Sequence, residues 1–344
     1  MKAKNTNKLL SLACLIMGVI LCGIYYFFFT SMTGKTSEQQ YIYIDEDDTA
    51  DSVCTKLKSA IHPGAMKMSA FATLLNHSSY PEHIKTGKYD VGDGAGAFSL
   101  FKRLKSGQQT AVNLTIPSVR TMEDMARVLS HKLMADSTSL ADAFTDSNLQ
   151  SKYGYDSTTI ACLFIPNTYD VYWNISPEKL MDRMEKEKDK FWNADRTAKA
   201  QAMGLTENEV VTLASIIDEE TNNNAEKPMV AGMYYNRLQQ QMPLQADPTV
   251  KFALKDFAMK RIYNKHLGID SPYNTYKNEG LPPGPIRVPT IAGIDAVLDY
   301  THHNYLYMCA KEDFSGTHNF AATYSEHLKN AAKYAKALNE RGIN

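Results

Sequence analysis

Hydrophobic positions fall into three regimes along the chain. Leu9 to Phe29 is one uncharged apolar run, close to the ~20 residues that a helix needs to cross a hydrocarbon core. A shorter-period pattern follows. Alternation over Tyr41-Ile42-Tyr43-Ile44 predicts a strand, Thr49 can cap a helix carrying Val53 and Leu57, and Met66 to His77 predicts a second helix. A strand over Lys88 to Val91 and a helix over Ala97 to Ser106 complete this stretch. Its beginning recurs downstream, with Ile44, Thr49, Val53 and Leu57 corresponding to Ile116, Thr121, Met125 and Leu129, as two tandem strand-helix-helix units would require. From Ser176 the period becomes helical. Ser176-Pro177-Glu178 opens a helix running toward Trp192, whose Glu/Lys alternation from Glu185 to Lys190 is a solvated face. Thr206-Glu207-Asn208-Glu209 is a capping box opening another helix, VVTLASIIDEET.

The apolar run decides the topology expected of the rest. Lys2, Lys4 and Lys8 precede it, and the positive-inside rule keeps that flank in the cytoplasm and sends everything after Thr30 outward. A cleaved signal sequence has a shorter apolar core and a small-x-small site, which does not follow Phe29. Residues 1–8 therefore form a cytoplasmic tail, 9–29 a single transmembrane helix and 30–40 a polar linker. The expected location is the inner (cytoplasmic) membrane, single-pass, with the folded part extracytoplasmic (periplasmic). Composition adds two exclusions. Lys plus Arg total 37 against 38 Asp plus Glu, so no basic excess calls for a nucleic-acid partner. Outside the anchor, Cys54, Cys162 and Cys309 are too widely spaced for a zinc pattern, and one disulfide among them is compatible but not required. Neither an H-E-x-x-H nor a G-x-S-x-G motif occurs, His302 and His303 make no metal spacing with His318, and the glycines of Gly92 to Gly96 lack the Lys-Ser/Thr of a phosphate loop. No metal or cofactor is called for.

On the VVTLASIIDEET helix, Val210, Leu213, Ile216 and Ile217 form an apolar stripe, and at ~100° per residue Glu220 falls on its middle while Asp218 and Glu219 point away. Burial disfavours a charged carboxylate and moves its pKa toward the range of a general acid at neutral pH, which makes Glu220 the candidate catalytic residue. The same spacing equally serves a carboxylate paired with a buried arginine such as Arg237. Downstream, Tyr235-Asn236-Arg237-Leu238 lies on another helix, and Asp247 before Pro248 suits a helix N-cap with Pro at N1. Tyr273-Asn274-Thr275-Tyr276 and the stiff Gly280-Leu281-Pro282-Pro283-Gly284-Pro285 follow, as an ordered surface loop whose neighbouring Tyr and Asn offer stacking faces and amides suited to sugars.

Taken in order, LASIIDEET, AGMYYNRL, MPLQADPTV, YNTY, GLPPGPI and HNF resemble the MltG (YceG-like) family of endolytic peptidoglycan transglycosylases over roughly residues 41 to 330. The resemblance implies an α+β chain, with an N-terminal transmembrane helix, a LysM-like α/β domain at 41–109, a second α/β segment at 110–200, and a mainly helical catalytic domain with small strands at 201–344. It places the family's catalytic glutamate, which precedes Thr, on Glu220. It also implies that Asn236, Gln245, Asp247, Tyr273, Asn274 and His318 line the substrate cleft. The implied reaction is lytic cleavage within glycan strands, with peptidoglycan, the cytoplasmic membrane and peptidoglycan synthases as partners. One departure stands out: where the family often reads E-G before P-D-T-Y, this chain has Ala161-Cys162 and then Pro166-Asn167-Thr168-Tyr169, so no acid of that loop is carried over. Two rivals follow from the same residues, a muramidase-type hydrolase using Glu220 and Asp247 and a non-catalytic wall-binding scaffold.

Overall fold

The structure, a computed structural model, describes residues 2–32, 39–259 and 261–342. Most of the expected linker, 33–38, lies outside the described residues. The chain forms two compact units, one of residues 1–114, 132–135 and 169–175, the other of 115–131, 136–168 and 176–344. Helices dominate, and the strands make small two-stranded sheets.

The first unit begins with α1 (Lys2–Phe29), in which Asn7–Phe29 is long and apolar enough to cross a membrane. Most of its large apolar side chains from Leu9 to Tyr26 are exposed, as a lipid-facing helix requires, while Phe27 and Phe28 near its end are half-buried and Phe29 packs on Phe98. The order then runs β1 (Tyr41–Ile44), α2 (Ala50–Ile61), α3 (Ala65–Asn76), β2 (Gly87–Asp90), α4 (Ala97–Ser106) and β3 (Val112–Thr115). β1 and β2 pair antiparallel from Tyr41 opposite Asp90 to Ile44 opposite Gly87. The pleat turns Ile42, Ile44 and Tyr89 to one side, where they meet Val53 and Leu57 of α2, Phe71 and Leu75 of α3, and Leu100 and Leu104 of α4. Thr49 caps α2 as its position predicts, accepting from the backbone of Ser52, whose hydroxyl accepts from Thr49 in return.

The second unit holds α5 (Met122–Ser130), α6 (Ser137–Thr145), α7 (Ser147–Lys152) and a 3-10 turn at Ile160–Leu163. β4 (Thr168–Val171) pairs with β3, and the chain crosses between the units within both strands, after Leu114 and after Thr168. Thr121 caps α5 and Met125 and Leu129 are buried, as Val53 and Leu57 are in α2, whereas Ile116, the counterpart of Ile44, falls just after β3. Then come α8 (Pro177–Phe191), α9 (Ala194–Ala202), α10 (Glu207–Glu220), α11 (Lys227–Gln239), α12 (Asp247–Leu254), α13 (Ile291–Leu298), the hairpin β5 (Tyr307–Ala310) and β6 (His318–Ala321), and α14 (Tyr324–Glu340). In α10 every residue from Val210 to Asp218 is buried, because α9, α11, α12 and α13 all pack around it. That enclosure corrects the expectation of a one-sided helix. Asp218 and Glu219 do point away from the apolar stripe, but into ion pairs: Asp218 with buried Lys227 at 2.7 Å, and Glu219 with Arg120 at 2.8 Å and Arg287 at 3.0 Å.

The Pro/Gly segment after Gly280 is also not a surface loop. Pro282, Gly284, Pro285 and Ile286 are buried, and a Cβ on Gly284 would lie 2.0 Å from the Thr158 carbonyl oxygen, so only glycine permits that approach. The Ile286 N–H donates to Ser215 of α10 at 3.0 Å, fastening this segment to the centre of the unit.

Candidate active site

The Thr206 and Glu209 capping box fixes where α10 starts, with the Glu209 carboxylate accepting from the Thr206 N–H at 2.7 Å. Fourteen residues later the helix ends with Glu220 at the wall of a cleft, and Thr221 turns the chain into extended backbone. The cleft is lined by Glu220, Tyr234 and Arg237 of α10 and α11, by Gln245, Asp247 and Tyr276, and by the hairpin residues Met308, Cys309, Ala310 and His318. Of the residues expected there, the fold brings together Glu220, Gln245, Asp247 and His318. The other three lie outside the lining, two of them with their side-chain amides committed to backbone. Asn236 donates to the backbone carbonyls of His303 at 2.8 Å and Tyr305 at 3.0 Å. Asn274 is fully buried and donates to the carbonyls of Leu267 and Ile269. Tyr273 packs its ring on Phe252, and burial pushes its hydroxyl up to about 12. These three build the walls rather than face the cleft.

Glu220 keeps an edge toward the cleft, and protein surrounds the rest of its carboxyl. This burial holds its pKa above the ordinary glutamate value, opposed chiefly by the Tyr234 hydroxyl, which donates to Oε1 at 2.7 Å. The negative charge of Asp247 adds to the rise, while His318 and Lys251 oppose it. Arg237 does not pair with Glu220, which removes the purely structural ion pair. Its guanidinium donates instead to the carbonyls of Leu306 at 2.6 Å, Leu244 at 2.8 Å and Pro243 at 3.2 Å, tying α11 to the cleft floor and to the hairpin.

Asp247 is not the cap of α12. Ala246 holds that position without a side-chain bond, and Asp247 is the first helical residue, its carboxylate accepting from the Tyr276 hydroxyl at 2.6 Å. The hydroxyl of Thr275 organises the turn in place of a cap, accepting from the Ala246 N–H at 3.0 Å and lying 2.8 Å from the Thr249 hydroxyl. Tyr234, Tyr276 and Glu226 are the polar site residues that sequence reasoning missed. Tyr234 lies fourteen positions after Glu220, on the next helix, and the two become adjacent once α10 and α11 pack. The one signal for Tyr276 is its place in Tyr273-Asn274-Thr275-Tyr276, which does not distinguish it from Tyr273.

In chemical terms the arrangement is one carboxyl that favours its neutral form, with one oxygen fixed by a phenol and the other left for the cleft, beside a carboxylate-phenol pair and an imidazole. Such a group can donate a proton to a leaving oxygen and take one back.

Residues 42–333 match the YceG-like family. A protein of Bacillus subtilis named endolytic murein transglycosylase is 43% identical over 132 residues, which are 38% of this chain and 36% of that protein. One of the same name from Streptococcus pneumoniae serotype 2 is 25% identical over 325 residues, 86% of this chain and 58% of the relative. The chain therefore spans less than two thirds of the length of either curated relative. A crystal structure of a YceG-like protein from Listeria monocytogenes superposes with a TM-score of 0.55 at 26% identity, covering 86% of this chain and 99% of the other.

Proposed function

The chain belongs to the YceG-like family, and from that premise we propose that it is a membrane-anchored endolytic murein transglycosylase. The substrate is the β-1,4 bond between N-acetylmuramic acid and N-acetylglucosamine within a glycan strand, and Glu220 is the catalytic residue. Two relatives carry the name of this activity. The observation that carries the reading is the state of Glu220, a carboxyl favoured in its neutral form by burial and held by Tyr234 at the cleft wall. Protonated Glu220 donates to the departing glucosamine O4 as positive charge develops at the muramic C1. Its carboxylate then takes the proton of the muramic O6 hydroxyl as that oxygen bonds to C1, closing a 1,6-anhydro ring. A nucleophile already tethered to the substrate removes the need for a second enzymic carboxylate to position water.

Product analysis tests this directly. Uncrosslinked glycan incubated with the full-length protein in lipid and ¹⁸O-water should give 1,6-anhydro muramic ends without label, and mid-length fragments should appear early. Asp247 shares the cleft with Glu220, so a two-carboxylate hydrolase remains the second reading. Reducing ends labelled in stoichiometric yield would establish that hydrolase and defeat the lyase.

Residues 41–109 act in this proposal as a LysM-like part that holds glycan, residues 110–200 lead into the catalytic part, and 201–344 cut. Helix α1 anchors the protein in the cytoplasmic membrane with its Lys-bearing N-terminus inside. Protease added to spheroplasts should then degrade everything after about Thr30 and spare the anchor. Protection of the second unit in intact spheroplasts would refute the orientation and, with it, access to the wall.

A further inference from the structure

Glu226 is buried, yet the reaction above makes no use of it. Its Oε1 accepts the backbone N–H of His318 at 2.6 Å, and its Oε2 lies 3.1 Å from Nδ1 of the same histidine. Oε2 also accepts the Thr221 hydroxyl at 3.0 Å, and Thr221 directly follows Glu220. Fastening strand β6 would need only the backbone bond. The second contact fixes the rotation of the ring as well, and the third ties the couple to the end of the helix that carries the acid. A carboxylate oxygen can only accept, so Nδ1 carries the hydrogen, and in the neutral ring Nε2 is then an acceptor. His318 lines the cleft beside Glu220. His303 offers a contrast, since both its nitrogens are spent on backbone, Nδ1 on the Tyr305 N–H and Nε2 on the Met229 carbonyl.

We propose, resting on the reading of this cleft as a glycan-cleaving site, that Glu226 is a positioning residue that locks His318 in its Nδ1-protonated form. It thereby presents Nε2 as a hydrogen-bond acceptor to a hydroxyl of the bound sugar. Glu220 remains the acid and base. His318 aligns a hydroxyl, and Glu226 acts only through His318.

The test uses the full-length chain, labelled with ¹⁵N-histidine, in lipid nanodiscs at pH 8.5, where an ordinary imidazole is neutral. His318→Gln identifies the signals. The expected wild-type spectrum has Nδ1 protonated and Nε2 bare, and the reverse pattern would overturn the proposal without any variant. In Glu226→Gln the amide oxygen can still take the His318 N–H, which leaves the NH2 facing Nδ1. The ring should then move to its Nε2-protonated form, and kcat should fall about 10²-fold with KM nearly unchanged. A Glu226→Gln protein that keeps the wild-type spectrum, or keeps its kcat with the altered one, overturns the proposal too. Thr221→Val, which leaves the carboxylate in place, should keep the wild-type tautomer. If Glu226→Gln does not fold, the wild-type spectrum together with Thr221→Val still decides the tautomer. Should the wild-type chain show the expected spectrum but cleave no glycan, the functional reading fails while the Glu226–His318 couple stands.

Discussion

Replacing Glu220 with Gln should lower turnover about 10⁴-fold, the upper end of what one acid-base group contributes, because in the proposed reaction this residue serves as donor and then as acceptor. Burial raises its pKa, so the protonated form needed for the first step persists further toward neutral pH than for a free glutamate. Activity should therefore fall as pH rises past that raised value. The same shift fixes the sign of its effect on stability. The folded state binds the Glu220 proton more tightly than the unfolded chain does, so this contribution is fully present below the ordinary glutamate range and is lost as pH rises through the folded-state value. At higher pH the buried charge is a cost that a neutral amide does not carry. Glu220→Gln should thus unfold at the same temperature as the wild type at pH 8, or at a higher one. Tyr234→Phe removes the hydrogen bond that opposes the rise, so its alkaline limb should move to higher pH while kcat drops. A Tyr234→Phe limb that stayed in place would show that another group controls it, and an active Glu220→Gln enzyme would remove Glu220 from the mechanism.

Asp218→Asn should cost about 3–5 kcal/mol of folding stability, the usual penalty for leaving one member of a buried ion pair alone. Asp218 is 5% exposed and Lys227 4%, with Nζ 2.7 Å from Oδ1. Oδ2 of the same carboxylate accepts the Thr290 N–H at 2.6 Å, at the start of α13, so one side chain joins α10, α11 and α13. There is little room to adjust. A Cβ on Gly293 would stand 2.5 Å from the Asp218 carboxylate, so that part of α13 must be glycine and already touches the ion. An asparagine would keep a contact to Thr290 but leave the Lys227 ammonium without its counter-charge. Urea denaturation reads the loss, and a difference below about 1 kcal/mol would show that Lys227 finds another partner or loses its charge at little cost. Complete loss of turnover with unchanged stability would instead move the acid role from Glu220 to Asp218. A mild effect is the expectation from α10 taken as a helix with one buried face, and the enclosed helix reverses it.

Most of what depends on residues within a turn or two of each other was legible in the sequence, the Asp247-Pro248 cap being the exception, since Ala246 takes that position. The apolar run of α1, the Thr49 and Thr206 capping boxes, the Ser176-Pro177 start of α8 and the alternation of β1 are all short-range, so propensity, capping and periodicity determine them before any packing. The inward face of Glu220 belongs to the same class, because ~100° per residue places it once the helix is granted. Tertiary structure decided which polar side chains meet. Asn236 and His318 are both polar residues near the same elements, and nothing local says that one amide will serve two backbone carbonyls while the imidazole faces the cleft. Tyr234 and Glu226 gained their partners only through the packing of α10, α11 and the β5–β6 hairpin, and Tyr276 only where its loop folds back onto the start of α12. Packing likewise turned Asp218 from a presumed outward acid into an interior ion, since helices on every side of α10 left no face to solvent. Desolvation and hydrogen bonding, which set the chemistry of a carboxyl, are properties of its surroundings in space. Sequence spacing placed Glu220, and the three-dimensional enclosure decides its protonation.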